Sequence, residues 1–157
     1  MAYVTGERPE GCVLCQAREQ GAAAYVLYNS KYNFAILNRF PYNNGHTMIV
    51  PNEHVSDFLQ LSAEQMADML DLAQGVSEAL KTCMRADGLN LGMNLGRAAG
   101  AGIDDHLHLH VVPRWLGDTN FLTTLGETRV VPQALDACFG TLEPVVREIM
   151  ERREAQR

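Results

Sequence analysis

The sequence predicts an α+β domain, and three observations carry that expectation. Short β-prone runs separated by turn residues fill positions 25–50, and a stretch with helical apolar spacing occupies 62–86. A second β-prone run then carries three histidines at alternate positions, His106-Leu107-His108-Leu109-His110-Val111-Val112. At 157 residues the chain fits a single domain, 1–157, and about two-thirds of the surface of the unfolded chain can be buried, enough for a core without disulfides.

Each element has its own signal. Tyr25 to Asn29, Asn33 to Asn38 and Thr47 to Val50 read as strands of an antiparallel meander, joined by Asn29-Ser30-Lys31 and Pro41-Tyr42-Asn43-Asn44-Gly45. From Ser62 the period changes: Met66, Met69, Leu70, Ala73, Val76, Leu80, Cys83 and Met84 recur at helical spacing, Ser62 and Gln65 form a capping box, and Gly88 supplies a stop. The methionines of this helix read as core packing rather than a ligand stripe. Leu89 to Leu95 is a fourth strand and the histidine run a fifth, joined by Gly96-Arg97-Ala98-Ala99-Gly100-Ala101-Gly102. Leu135, Phe139, Leu142, Val146 and Met150 mark a C-terminal helical extension, about 133–154, that Gly140 or Pro144 should interrupt.

Composition narrows the function classes only a little. The formal charge of −6 disfavours broad binding to nucleic-acid backbones, while leaving room for a small phosphate-bearing ligand held by amides and a few side chains. No apolar run approaches the roughly 18 residues of a membrane span. The opening MAYVTGERPEGC has no basic region followed by an apolar one, so no secretory signal is expected, and a cytoplasmic location follows. The four cysteines are then reduced thiols or metal ligands. Cys83 and Cys138, on apolar helical faces, are adequately explained as buried structural thiols.

Alternation in an extended chain puts His106, His108 and His110 on one face and Leu107, Leu109 and Val111 on the other, with the imidazoles about 7 Å apart in sequence order. That spacing is too long for three ligands on one metal from a flat strand. It suits a division of labour in which one histidine binds a metal, the next attacks a substrate and the third orients it. Cys12-Val13-Leu14-Cys15 can present two thiolates to a tetrahedral zinc; a redox-active pair is the competing reading, but that motif should follow a strand, and here it precedes all of them. Two more ligands are needed, and the candidates are His54, otherwise a plain loop histidine, and one member of the histidine run. The glycine-rich segment before the run is either a flexible connection or a source of amide donors for phosphate.

The run His106 to Val112 resembles the signature of the histidine triad (HIT) family of nucleotide hydrolases and transferases, in which three histidines alternate with apolar residues. The likeness extends from Cys12 to about Phe121. Phe34-Ala35-Ile36-Leu37-Asn38 and Gly45-His46 resemble the family's nucleoside-side strands, and Pro51-Asn52-Glu53-His54 its PxxH loop. Asn94-Leu95-Gly96 to His106, followed by Pro113-Arg114-Trp115-Leu116-Gly117-Asp118-Thr119-Asn120-Phe121, is most similar to the branch that cleaves diadenosine tetraphosphate by phosphorolysis.

The resemblance implies a HIT-like fold, a five-stranded antiparallel sheet with one long helix and a C-terminal helical segment, assembled as a homodimer. It implies a structural zinc on Cys12, Cys15, His54 and His106, and His108 as the nucleophile toward the α-phosphorus of a nucleotide, with water or inorganic phosphate resolving the adduct. Asn94, His110 and the backbone amides of Gly100, Ala101 and Gly102 are the donors available to the phosphoryl oxygens. Asn38 matches the position that holds the ribose hydroxyls, Phe34, Ile36 and Met48 would line a base pocket for an adenine nucleotide, and His46 would join the histidine cluster. Arg114 and Trp115 fit substrate-tail recognition or the subunit interface. One departure is plain: near Gly102 and Ile103 family members often carry Ser or Gln as a phosphate donor, and here neither residue offers one. Two other readings share these residues, a hydrolase of nucleoside phosphoramidates or adenylylated compounds, and a nucleotide-binding module of negligible turnover.

Overall fold

Antiparallel pairing follows the expected meander. A computed structural model describes residues 11–118 and 134–156. Its elements are α1 (Val13–Gln20), β1 (Val26–Asn29), β2 (Asn33–Leu37), β3 (Thr47–Pro51), α2 (Ala63–Met84), β4 (Gly88–Gly92), β5 (Leu109–Arg114) and α3 (Leu135–Glu154), with short 3-10 turns at Gly21–Ala24, Phe58–Gln60 and Arg97–Ala99. The strands form one five-stranded sheet in the order β1-β2-β3-β5-β4, and all its pairs are antiparallel.

β2 and β3 are buried along their whole length, because the sheet is covered on both faces. Ala35, Leu37, Ile49, Leu109 and Val111 face α2 and α3 and form the larger core with Leu72, Val76, Leu80, Leu142 and Val146. The alternate residues Phe34, Ile36, Met48 and Val50 join Val26 and Leu14 of α1 in a smaller cluster on the opposite face, with Cys12, Ala17 and Ile103 packed against it. This second cover explains why NFAIL and TMIVP read as near-continuous apolar runs rather than alternating ones.

Helix α2 begins as expected: Ser62 Oγ accepts from the Gln65 amide and the Gln65 side chain returns a bond to Ser62 N–H. It ends earlier than the sequence suggests. Arg85, at φ 54°, takes the left-handed capping conformation, and the N–H of the next residue, Ala86, returns to Leu80 O at 3.3 Å, so Gly88 opens β4 instead of stopping the helix. Leu70, expected in the core stripe, is 57% exposed. Asp71, Gln74 and Glu78 of α2 meet Arg152 and Arg153 of α3, and Gly75 faces Met150 where the two helices approach closely.

Three further expectations are corrected. Tyr25 is outside β1, since its φ of 66° caps the preceding 3-10 turn, and Asn38 lies just past β2. The fourth strand ends at Gly92, not Leu95, where its ladder with β5 stops opposite His110. α3 runs unbroken through Gly140 and Pro144: Pro144 removes the bond to the carbonyl four residues back, but that carbonyl belongs to Gly140, and both residues are exposed, so water can satisfy it. Thr119, Asn120 and Phe121 of the expected motif lie outside the described residues. No helix among the described residues is long and apolar enough to cross a membrane.

Candidate active site and metal cluster

The fifth strand starts at Leu109, so of the three alternating histidines only His110 sits in the ladder, opposite Met48 of β3 and Gly92 of β4. Before it the chain runs beside the 51–55 loop, with Leu107 N–H donating to Val55 O at 2.7 Å. The alternation survives this change of partner. Leu107, Leu109 and Val111 pack into the larger core, while the histidines point the other way. His106 and His108 are 1% and 5% exposed, and the rings of His108 and His110 meet edge to face with centroids 4.8 Å apart.

Each ring's protonation pattern follows from a partner that can act in only one sense. Pro51 O can only accept, so the 3.0 Å contact is a bond from His106 Nε2–H, and burial lowers the His106 pKa. His106 Nδ1 therefore carries the lone pair, 3.2 Å from Cys12 Sγ and 3.5 Å from Cys15 Sγ. His106 O accepts from His108 Nδ1–H at 2.9 Å, which leaves the lone pair of neutral His108 on Nε2. Main chain and side chain of one residue thus organise both neighbours.

A second chain of bonds ends on His110. The amide of Tyr42 donates to His46 Nδ1 at 3.1 Å, so neutral His46 carries its proton on Nε2 and passes it as a hydrogen bond to His110 Nδ1 at 2.9 Å. His110 is then left with Nε2–H as an outward donor. Burial, with the His110 and His108 imidazoles adding, pushes the His46 pKa down to about 3; burial and then His108 push His110 down to about 4. Both rings are neutral near pH 7. Asn38 Nδ2 lies 3.4 Å from His46 Nδ1, and Asn38 Oδ1 accepts from the Phe40 amide, so Asn38 is fixed at the mouth of the histidine cluster.

Cys12, Cys15, His54 and His106 each offer one ligand atom, and these atoms all lie within 4.8 Å of one another. Cys15 Sγ is 3.5 Å from His54 Nδ1. Burial, the hydrogen bond from Cys12 and the Cys12 charge push the Cys15 thiol up to about 11, a cost that a bound cation reverses. The four residues could hold a metal ion.

Other expected site residues are placed less directly. Asn94 is half-buried after β4 and makes no hydrogen bond among the described residues. Gly100 to Gly102 follow the Arg97–Ala99 turn, whose loop is tied by an ion pair between Arg97 and Asp104, and Gly100 needs its φ of +86°. Phe34, Ile36 and Met48 are buried, with Cys12, Ala17 and Ile103 packed against their cluster, so they present little surface of their own. Arg114 forks onto Asp118 at 2.8 and 2.7 Å, and Trp115 Nε1 donates to Met84 O. Sequence reasoning missed Tyr42, whose ring lies 4.7 Å from that of His46 and 6.0 Å from that of His110. Its one signal is an aromatic residue inside an otherwise polar turn, four positions before His46.

A covered antiparallel sheet whose fifth strand opens within a run of three alternating histidines defines a class, and comparison with known proteins agrees. The HIT domain matches residues 19–115, and the chain belongs to the HIT domain family. It is 43% identical over 110 residues to an AP-4-A phosphorylase of Mycobacterium tuberculosis, a match covering 70% of this chain and 56% of that relative, so the match spans little more than half of the relative's length. An uncharacterized HIT-like protein of Saccharolobus solfataricus is 32% identical over 111 residues, 71% of this chain and 79% of the relative. A Zn-bound histidine triad family protein from Mycobacterium smegmatis superposes with a TM-score of 0.74 at 29% identity, over 90% of this chain and 96% of that one.

Proposed function

We propose that the chain is a nucleotidyl transferase or hydrolase that cleaves dinucleoside polyphosphates of the diadenosine tetraphosphate type at the α-phosphate, through a covalent adduct on His108. The observation that carries this reading is the 2.9 Å bond from His108 Nδ1–H to His106 O, which leaves the Nε2 lone pair of the neutral ring available for attack. In the first step that lone pair bonds to the α-phosphorus and the bond to the departing nucleotide breaks, its electrons leaving on a phosphate oxygen that needs no proton. In the second, water or inorganic phosphate attacks the same phosphorus, its proton passing to solvent, as the N–P bond breaks and His108 leaves with its lone pair restored. His110 Nε2–H, the Asn94 amide and the amides of Gly100 to Gly102 serve the phosphoryl oxygens, where one donor is worth on the order of 10² to 10³ in rate. Asn38 takes the ribose hydroxyls of an adenine nucleotide whose base lies against Phe34, Ile36 and Met48. The likeness to the AP-4-A phosphorylase supports this choice of substrate class.

Cys12, Cys15, His54 and His106 Nδ1 fit a structural zinc. A tetrahedral site with the usual Zn–S and Zn–N lengths spans about 3.6 Å from sulfur to nitrogen, and the cysteine-to-histidine contacts here are 3.2 to 3.5 Å. The His106 Nε2–H bond to Pro51 O is the outer-shell contact that orients a ligating imidazole. With four protein ligands the ion would supply folding energy, not chemistry. A homodimer belongs to the same proposal: β4 is an edge strand with Leu91 48% exposed, which supports pairing with a second copy into a continuous sheet.

Incubation with diadenosine tetraphosphate should yield ATP plus AMP by hydrolysis and ATP plus ADP when phosphate is the acceptor. His108→Ala should abolish turnover while nucleotide affinity persists, because the lost contribution is made in the transition state. Substantial activity in that variant, or inversion of configuration at phosphorus, would exclude the covalent route.

A further inference from the structure

Tyr42 is 69% exposed, the more unusual because its loop is firmly held. Asn43 Nδ2 donates to Pro113 O at 3.0 Å and to Asp118 Oδ2 at 2.9 Å, and Asp118 is itself gripped by Arg114 and the Trp115 amide. His46 N–H closes the turn onto Asn43 O, and the Tyr42 amide is spent on His46 Nδ1. One side of the phenol ring is tilted 33° over His46 and 34° over His110. Among the described residues its hydroxyl has no hydrogen-bond partner, and no other aromatic ring stacks on it.

A large ring held still with most of its surface bare is a prepared stacking surface, since the ordering entropy of loop and side chain is already lost before a ligand arrives. Its position identifies the ligand's part. The retained nucleoside is assigned to Asn38 and the apolar residues of β2 and β3; Tyr42 is not part of that apolar cluster, and its ring lies instead over the histidines, 4.7 Å from His46 and 6.0 Å from His110, the ring that serves the phosphoryl group. Resting on the function proposed above, we infer that Tyr42 is a specificity residue that stacks the base of the departing nucleotide. It thereby favours substrates with a second nucleoside over those with a bare polyphosphate tail. The phenol offers its π-face without reading the base edge, so the preference is for the presence of a base more than for its identity.

The test compares diadenosine tetraphosphate with adenosine 5′-tetraphosphate, which share the retained adenylyl group and differ by the second adenosine. For wild type, Tyr42→Phe and Tyr42→Ala the readout is the ratio of kcat/KM between the two substrates, with the change expected in KM. Tyr42→Ala should lower that ratio about 5- to 150-fold, the worth of one stacked base, and Tyr42→Phe should preserve it. An unchanged ratio in Tyr42→Ala, with overall activity reduced equally on both substrates, assigns the ring to supporting His46 and overturns the stacking role while the proposed function stands. Loss in Tyr42→Phe as great as in Tyr42→Ala transfers the effect to the hydroxyl and likewise overturns it. A shift of Tyr42→Ala from dimer to monomer in sedimentation, with the ratio unmoved, gives the ring to a second copy of the chain. If wild type cleaves neither compound, the proposed function fails and the role of Tyr42 falls with it.

Discussion

His46 should make the stability of the protein fall steeply on mild acidification. The ring is 1% exposed, its Nδ1 is occupied by the Tyr42 amide and its Nε2–H by His110, so a second proton has no acceptor to meet and no solvent to stabilise it. A shift from the ordinary 6.5 to about 3 corresponds to about 5 kcal/mol at 1.36 kcal/mol per pH unit. The sign is set by the unfolded chain, which binds the proton first. Stability from keeping the ring neutral is fully present above pH 6.5 and is lost as the pH falls toward 3. Between pH 6.5 and 4.5 the loss should be about 2 kcal/mol from this one group. Acid would also weaken metal binding at the proposed zinc site, in the same direction, so the measurement is a difference. Urea unfolding of wild type and His46→Gln should be followed across that range, glutamine keeping an N–H for His110 Nδ1. The wild-type midpoint should drop about 1 M further than that of the variant. Parallel pH profiles would show that the ring is not held neutral by its surroundings, and the assignment of the proton on His110 would lose its basis.

Two other perturbations probe the framework. Cys12→Ser, Cys15→Ser and His54→Ala should each lower the metal content from about one zinc per chain, and a chelator should lower the melting temperature of wild type, because binding energy at a closed site is folding energy; full zinc in all three variants would remove the site. Gly45→Ala should cost about 2 to 5 kcal/mol, because φ is +79° and the new Cβ would lie 2.8 Å from Leu80 Cδ2 and from Met84 Sδ. Thermal unfolding should show the loss as a drop of about 5 to 15 °C, and a variant within 2 °C of wild type would mean that the turn before His46 can relax.

Local chemistry was readable in the sequence wherever both partners sit within one element. The Ser62 and Gln65 cap is three residues long, and the apolar periods of α2 and the meander reflect faces that neighbouring strands and helices bury. Features decided by distant contacts were not. Arg85 ends α2 in a conformation chosen by the return into β4, and Pro144 passes because the carbonyl it abandons faces water. In the candidate site, CxxC announced half of a cluster that could hold a metal, but Cys12 and His106 are 94 residues apart, and only the resemblance selected His106 from the run. Which nitrogen of each ring carries the proton depends on Pro51 O, His106 O and the Tyr42 amide, backbone groups that no residue name reveals.

With the proposed zinc bound, the two uses of His106 would make its site a built-in gauge of the neighbouring His108. Its ring faces the cysteines, while its carbonyl fixes the direction of the His108 ring. A rotation of the peptide at 106 would therefore turn both together. With cobalt at the proposed site, the colour of the ion would report any movement that substrate imposes on His108. A site proposed to serve folding would become an optical label two residues from the proposed nucleophile.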